Sequence, residues 1–83
     1  MKYRAKIEVS LKPGHSDPEG ETSARLLKEL SYNVDSVNVS KVYNVIIESN
    51  SAEAAKAKAE EMAKRLLANP TKDNYTISVV ENK

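Results

Sequence analysis

Few residues of this 83-residue chain have both the type and the spacing to do chemistry. His15 is the only histidine and cysteine is absent. A thiolate or imidazole metal cluster, or a serine–histidine–acid set, therefore lacks partners. An imidazole titrating near pH ~6.5 can act as a general base, but His15 stands in a polar turn-forming stretch and reads as a solvated loop side chain. Asp17 and Glu19 could form an acid–base pair. They flank Pro18 just ahead of a helical pattern, so capping and dipole stabilisation account for both. Lys12-Pro13-Gly14 offers a cation and free backbone N–H groups to an anion. With only Gly14 and Gly20 the chain lacks phosphate-loop and dinucleotide spacing, which leaves a turn or a partner contact. Asn69-Pro70 is likewise a helix stop or a partner-facing corner. We expect no catalytic, cofactor-binding or metal-binding residue.

The elements that carry these residues follow from periodicity. From Tyr3 to Leu11 the odd positions are apolar (Tyr3, Ala5, Ile7, Val9, Leu11), and the even positions from Lys2 to Lys12 are polar or charged. Alternate side chains of a strand face opposite ways, so Lys2–Leu11 is predicted as a strand with one dry and one wet face. Pro13-Gly14 breaks it. Asp17 as N-cap and Pro18 in the first turn then start a helix to about Leu30, with Leu26, Leu27 and Leu30 as its apolar side. Asn33, in Ser31-Tyr32-Asn33, is the expected left-handed residue at its end.

A second strand is predicted over Val37–Ile47. At about 3.3 Å per residue it would span about 36 Å, longer than the usual 5–6 residues. It either bends near Ser40-Lys41 or extends beyond its own domain to pair with another chain. Val42 and Ile46 make its second face partly apolar, and Lys41 interrupts the first. Lys41, Val42, Tyr43 and Ile46 are thus candidates for self-association. A second helix is predicted from about Ser51 to Ala68, begun by an Asn50/Glu53 capping box, with Ala52, Ala55, Ala59, Met62, Ala63, Leu66 and Leu67 on one side. A last strand covers Tyr75–Val80. The expected class is α+β: an antiparallel sheet with two helices on one face, in the order β-α-β-α-β. If the middle strand folds into two, the order becomes ferredoxin-like.

Composition narrows the function. A chain this short buries roughly 60% of its unfolded surface, and no disulfide can reinforce it, so oligomerisation is the remaining source of stability. The 13 basic and 12 acidic residues nearly cancel, which leaves no electrostatic footprint for nucleic acid. The chain has no Phe or Trp, which argues against an RNA-recognition sheet. No apolar run approaches the ~18 residues of a membrane span and no signal-like segment precedes the first strand, so a cytoplasmic protein is expected.

Four stretches together resemble the PurS family, the small subunit of phosphoribosylformylglycinamidine (FGAM) synthase. They are Leu11-Lys12-Pro13-Gly14 with Asp17-Pro18-Glu19-Gly20; the Leu27…Leu30-Ser31-Tyr32 helix end; Val37-Asn38-Val39-Ser40-Lys41; and Leu66-Leu67-Ala68-Asn69-Pro70 followed by Tyr75. The resemblance implies one PurS-like domain over residues 1–83. It also implies a subunit of a carbon–nitrogen ligase that carries no catalytic residues itself. Such a subunit joins a glutaminase (PurQ) to a synthetase (PurL), which uses ATP and magnesium to make formylglycinamidine ribonucleotide in purine biosynthesis. A homodimer or dimer of dimers is implied too. The family has Gly where Ser31 and Ser40 stand here, which raises the question of backbone strain at both. The contrasting reading is a free-standing ACT-like module that binds a small metabolite, with Lys12-Pro13-Gly14 as its first turn.

Overall fold

The strict alternation of the first strand decides the architecture. In a computed structural model of residues 1–83, β1 (Lys2–Leu11) is the middle strand of a three-stranded sheet. It is flanked by β2 (Lys41–Glu48) and β3 (Asp73–Glu81), both antiparallel to it. Ile7 lies opposite Tyr43 and Ile77, and Ala5 opposite Val45 and Val79. Tyr3, Ala5, Ile7 and Val9 are all buried, while Lys2, Arg4, Lys6 and Glu8 face out. Helices α1 (Pro18–Glu29) and α2 (Ala52–Met62) complete a three-stranded, ferredoxin-like α+β arrangement in the predicted β-α-β-α-β order.

Of the two helices, α2 covers the dry face. Ala55, Ala59 and Ala63, four residues apart, are fully buried. Methyl side chains at that spacing let the helix axis lie close to the sheet. Its N-cap is Ser51, whose Oγ accepts from the Ala54 N–H at 3.1 Å, so the predicted Asn50/Glu53 box does not form. The helix continues into a π turn over Ala63–Leu67, closed by the Ala68 N–H donating to the Ala63 carbonyl at 2.9 Å. The wider turn rotates the last residues of the helix about its axis. Ala68 is buried and Leu67 half-buried, while Leu66, predicted to face the core, is 82% exposed.

The predicted long strand is shorter than expected. β2 starts at Lys41, and residues 37–40 leave the sheet to meet the start of α1, which is the bend near Ser40-Lys41. Only Gly20 of α1 is buried; Leu27 is partly covered, while Leu26 and Leu30 stand exposed. The molecule is correspondingly elongated. Its radius of gyration is 16.2 Å, against about 12 Å for a compact domain of this length.

Helix α1 ends in a Schellman motif: the Tyr32 N–H donates to Leu27 O at 3.0 Å and the Ser31 N–H to Lys28 O at 2.9 Å. The left-handed residue is Ser31 (φ 74°), not Asn33, because the motif places it immediately after the C-cap. Ser40 has no positive φ and carries no such strain. A side chain in the left-handed region costs about 1 kcal/mol or more. Ser31→Gly should therefore stabilise the chain by roughly 0.5–1 kcal/mol in urea denaturation. No gain would mean that the Ser31 side chain offsets its own strain.

Candidate partner-contact site

The two turns singled out in the sequence meet at one end of the molecule. The Lys12 N–H donates to Lys72 O at 2.7 Å, which extends the β1–β3 pairing by one residue. Its Nζ donates to Pro70 O at 3.0 Å. Pro13 and Gly14 then form a projecting turn, with Gly14 at φ 89° and nothing near the position of its missing Cβ. On the facing loop, Asn69 Oδ1 accepts from the Thr71 N–H at 2.9 Å, and its own N–H donates to Asp73 Oδ2 at 2.9 Å. Lys12 and Asn69 thus have definite local folding roles. Pro13, Gly14, Asn69 and Pro70 are all exposed, so the corner presents a continuous turn surface.

Asp17 is the hinge between this end and α1. Its Oδ1 accepts from the Gly20 N–H at 3.0 Å and its Oδ2 from the Val39 N–H at 2.9 Å. Both oxygens are committed to main chain, which makes Asp17 a cap and a tether rather than an acid–base group. The hydrogen bond from Val39, then that from Gly20, hold its carboxyl below the usual aspartate range, against a smaller opposing effect of desolvation. A carboxyl with a depressed folded-state pKa stabilises the fold above its unfolded pKa. That contribution disappears as pH falls through the folded value. Between about pH 5 and pH 2, stability should therefore decline more steeply for the parent than for Asp17→Asn, by up to about one proton's worth of slope. The variant retains one acceptor oxygen of the two. Identical acid limbs in chemical denaturation would refute the tether.

His15 is exposed, and its backbone N–H closes the turn onto Lys12 O at 3.4 Å. A cleft of about 660 Å³ lies between α1 and residues 35–38, with His15, Glu21, Arg25 and Asp35 on its walls. None of its lining residues is buried, so solvent weakens any electrostatic interaction there. No three histidine, aspartate or glutamate side chains gather as a metal site. No helix is long and apolar enough to cross a membrane.

The candidate self-association residues lie on β2, an edge strand. Val42 and Ile46, each 47% exposed, point to the wet face. Tyr43 is half-buried on the dry face, and Lys41 is exposed at the strand's start, opposite Val9. Sequence reasoning missed a groove of about 540 Å³ that Val45, Met62, Leu66 and Leu67 line beside this edge. Its signal was the run Leu66-Leu67-Ala68, which is too wide for one side of an α-helical turn.

Open sheet edges and an exposed turn corner define a small α+β module that presents strand edges and turns at its surface. Residues 4–81 match the PurS family, phosphoribosylformylglycinamidine (FGAM) synthase. The chain belongs to the PurS family. It is 41% identical over 78 residues to the PurS subunit of FGAM synthase from Methanocaldococcus jannaschii, covering 93% of this chain and 94% of that one. The fold superposes on Thermus thermophilus PurS with a TM-score of 0.91 at 32% identity, across 100% of both chains. It also superposes on a chain of the PurLQS structure from Thermotoga maritima, with a TM-score of 0.88 at 25% identity, over 96% of this chain and 99% of that one.

Proposed function

We propose that this chain is the non-catalytic small subunit of an FGAM synthase, a single domain over residues 1–83 that links a PurQ-like glutaminase to a PurL-like synthetase in the cytoplasm. The carrying observation is the likeness to a chain of PurLQS over nearly its full length. ATP, magnesium and the ribonucleotide belong on the synthetase, and ammonia from glutamine on the glutaminase. This chain supplies the surfaces that hold the two together. The corner of Lys12, Pro13, Gly14, Asn69 and Pro70 is one such surface. The open, solvated cleft beside α1 gives little support to the ACT-like alternative, which needs an enclosing interface. The test is reconstitution. Omitting this chain should abolish most glutamine-dependent turnover and spare ammonia-dependent turnover by the synthetase. Full glutamine-dependent activity without it would reject the proposal.

Self-association proceeds through the edge of β2. Antiparallel pairing about a two-fold axis at Asn44 places Val42 of each copy opposite Ile46 of the other, on one face of a continuous sheet. The matching wet-face positions of β3 are Asn74, Thr76 and Ser78, with Val80 as the one aliphatic, which makes β2 the better edge for burial. Val42→Glu with Ile46→Glu should raise the dimer dissociation constant by roughly 100-fold or more, through charges placed in an apolar contact. Sedimentation showing the parent to be a monomer at micromolar concentration would remove this role from β2.

A further inference from the structure

The wet face of the sheet carries a stripe of cations, Lys2, Arg4 and Lys6, that neither folding nor edge pairing uses. At its centre Arg4 lies between Ile46 and Val80, and Lys6 between Asn44 and Ser78. Lys2 precedes them on the same face. None of the three cations has an ion pair. The chain's two ion pairs are Met1 with Glu48 and Arg25 with Glu29. Of the nearby carboxylates, Glu48 is engaged by the terminal ammonium at 3.3 Å and Glu8 accepts from Ser40 Oγ at 3.1 Å. The two central rows hold no carboxylate at all. Beside the cations stands Val80, 59% exposed, and on the β2 side Val42 and Ile46, 47% exposed in the single chain and shared with the edge pairing described above. Pairing through the edge of β2 extends the sheet within its own plane and leaves this face open.

From the unpaired Arg4–Lys6 stripe and its aliphatic rim we infer that the wet face docks an acidic, partly apolar protein surface on one of the larger subunits; this rests on the subunit reading above. A second copy packed face to face would set the stripe against itself, and like charges repel. Single-stranded nucleic acid needs aromatic stacking platforms, yet Tyr3, Tyr43 and Tyr75 all belong to the opposite, helix-covered face. A carboxylate-bearing protein surface satisfies both the charge and the aliphatic rim, and such a contact is salt-sensitive.

The experiment compares Arg4→Glu/Lys6→Glu with Lys56→Glu/Lys64→Glu, which makes the same change in net charge on exposed positions of the second helix and its terminal π turn. Circular dichroism and sedimentation first establish that each folds and self-associates. Arg4→Gln/Lys6→Gln stands in if the double reversal does not fold. Affinity for the mixed synthetase and glutaminase subunits is then measured at low and at high salt. The wet-face variant should bind at least tenfold more weakly than the parent, and added salt should close most of the gap. The control should bind like the parent. Equal binding by the wet-face variant overturns the docking face while leaving the subunit role intact. Equal weakening by both variants shows a general charge effect and overturns it as well. No binding by the parent overturns the subunit role and the docking face with it. Arg4- and Lys6-dependent binding to an oligonucleotide, with subunit binding unaffected, overturns the choice of a protein partner.

Discussion

Ile7→Ala should remove about 2–5 kcal/mol of stability, the largest loss expected from any single truncation in this chain. Ile7 is the one large side chain that is fully buried. It sits in the middle of the central strand, opposite Tyr43 and Ile77, in the same cluster as the alanine stripe of α2. A cavity there has little nearby to collapse into it, because the neighbours on the helix side are alanines already close to the backbone. At about 0.05–0.15 kcal/mol per residue, a chain of this length has a total stability of only roughly 4–12 kcal/mol. The loss is therefore a large fraction of the total, and the denaturation midpoint should fall in proportion. Ile7→Val, which removes one methylene, should cost about 0.5–1.5 kcal/mol. Urea denaturation followed by circular dichroism reads both. A loss below about 1 kcal/mol for the alanine variant would show that the core is not organised around this residue.

Gly20→Ala tests a different contact, and its sign is informative. Helix propensity alone favours alanine over glycine by about 0.8–1.0 kcal/mol. A Cβ at position 20, however, would run into the Val37 carbonyl oxygen and come within 2.7 Å of Asp17 Oδ2. The first of these is main chain and cannot swing aside as a side chain could. The substitution should therefore destabilise by about 1–3 kcal/mol. The loss should be concentrated where α1 meets residues 37–39, with faster amide exchange at Val39, whose N–H is held by Asp17. Protection in β1 should change little. A more stable variant with unaltered exchange would mean that the segment can move away without penalty.

Much of the scaffold is legible because its signals are local. The alternation in β1 names both its faces, and Asp17-Pro18 marks the start of α1. The features that escaped depend on longer-range geometry. A period of 3.6 residues predicts Leu66 inward, but the π turn adds a residue to that turn and sends it out. Asn33 is the better left-handed residue by type, yet the Schellman geometry requires that conformation at Ser31. Ser51 displaces Asn50 as the cap because the first helical residue is Ala52. The apparent length of the middle strand combined two structures, β2 and a segment pinned to Asp17. For the contact surfaces, Lys12 and Asn69 were visible as residue types, but their meeting at one corner follows from the β1–β3 register. The wet-face stripe was visible as alternation, while its aliphatic neighbours come only from the sheet order.

The tether at Asp17 also has an architectural meaning. It joins positions 22 apart in sequence, so α1 and its flanking loops leave the sheet and return at nearly one point. Topologically that excursion is a cassette, inserted between two strands that would remain adjacent without it. Its length and its exposed leucines can therefore vary during evolution, or be exchanged by design, while the register of the sheet is preserved.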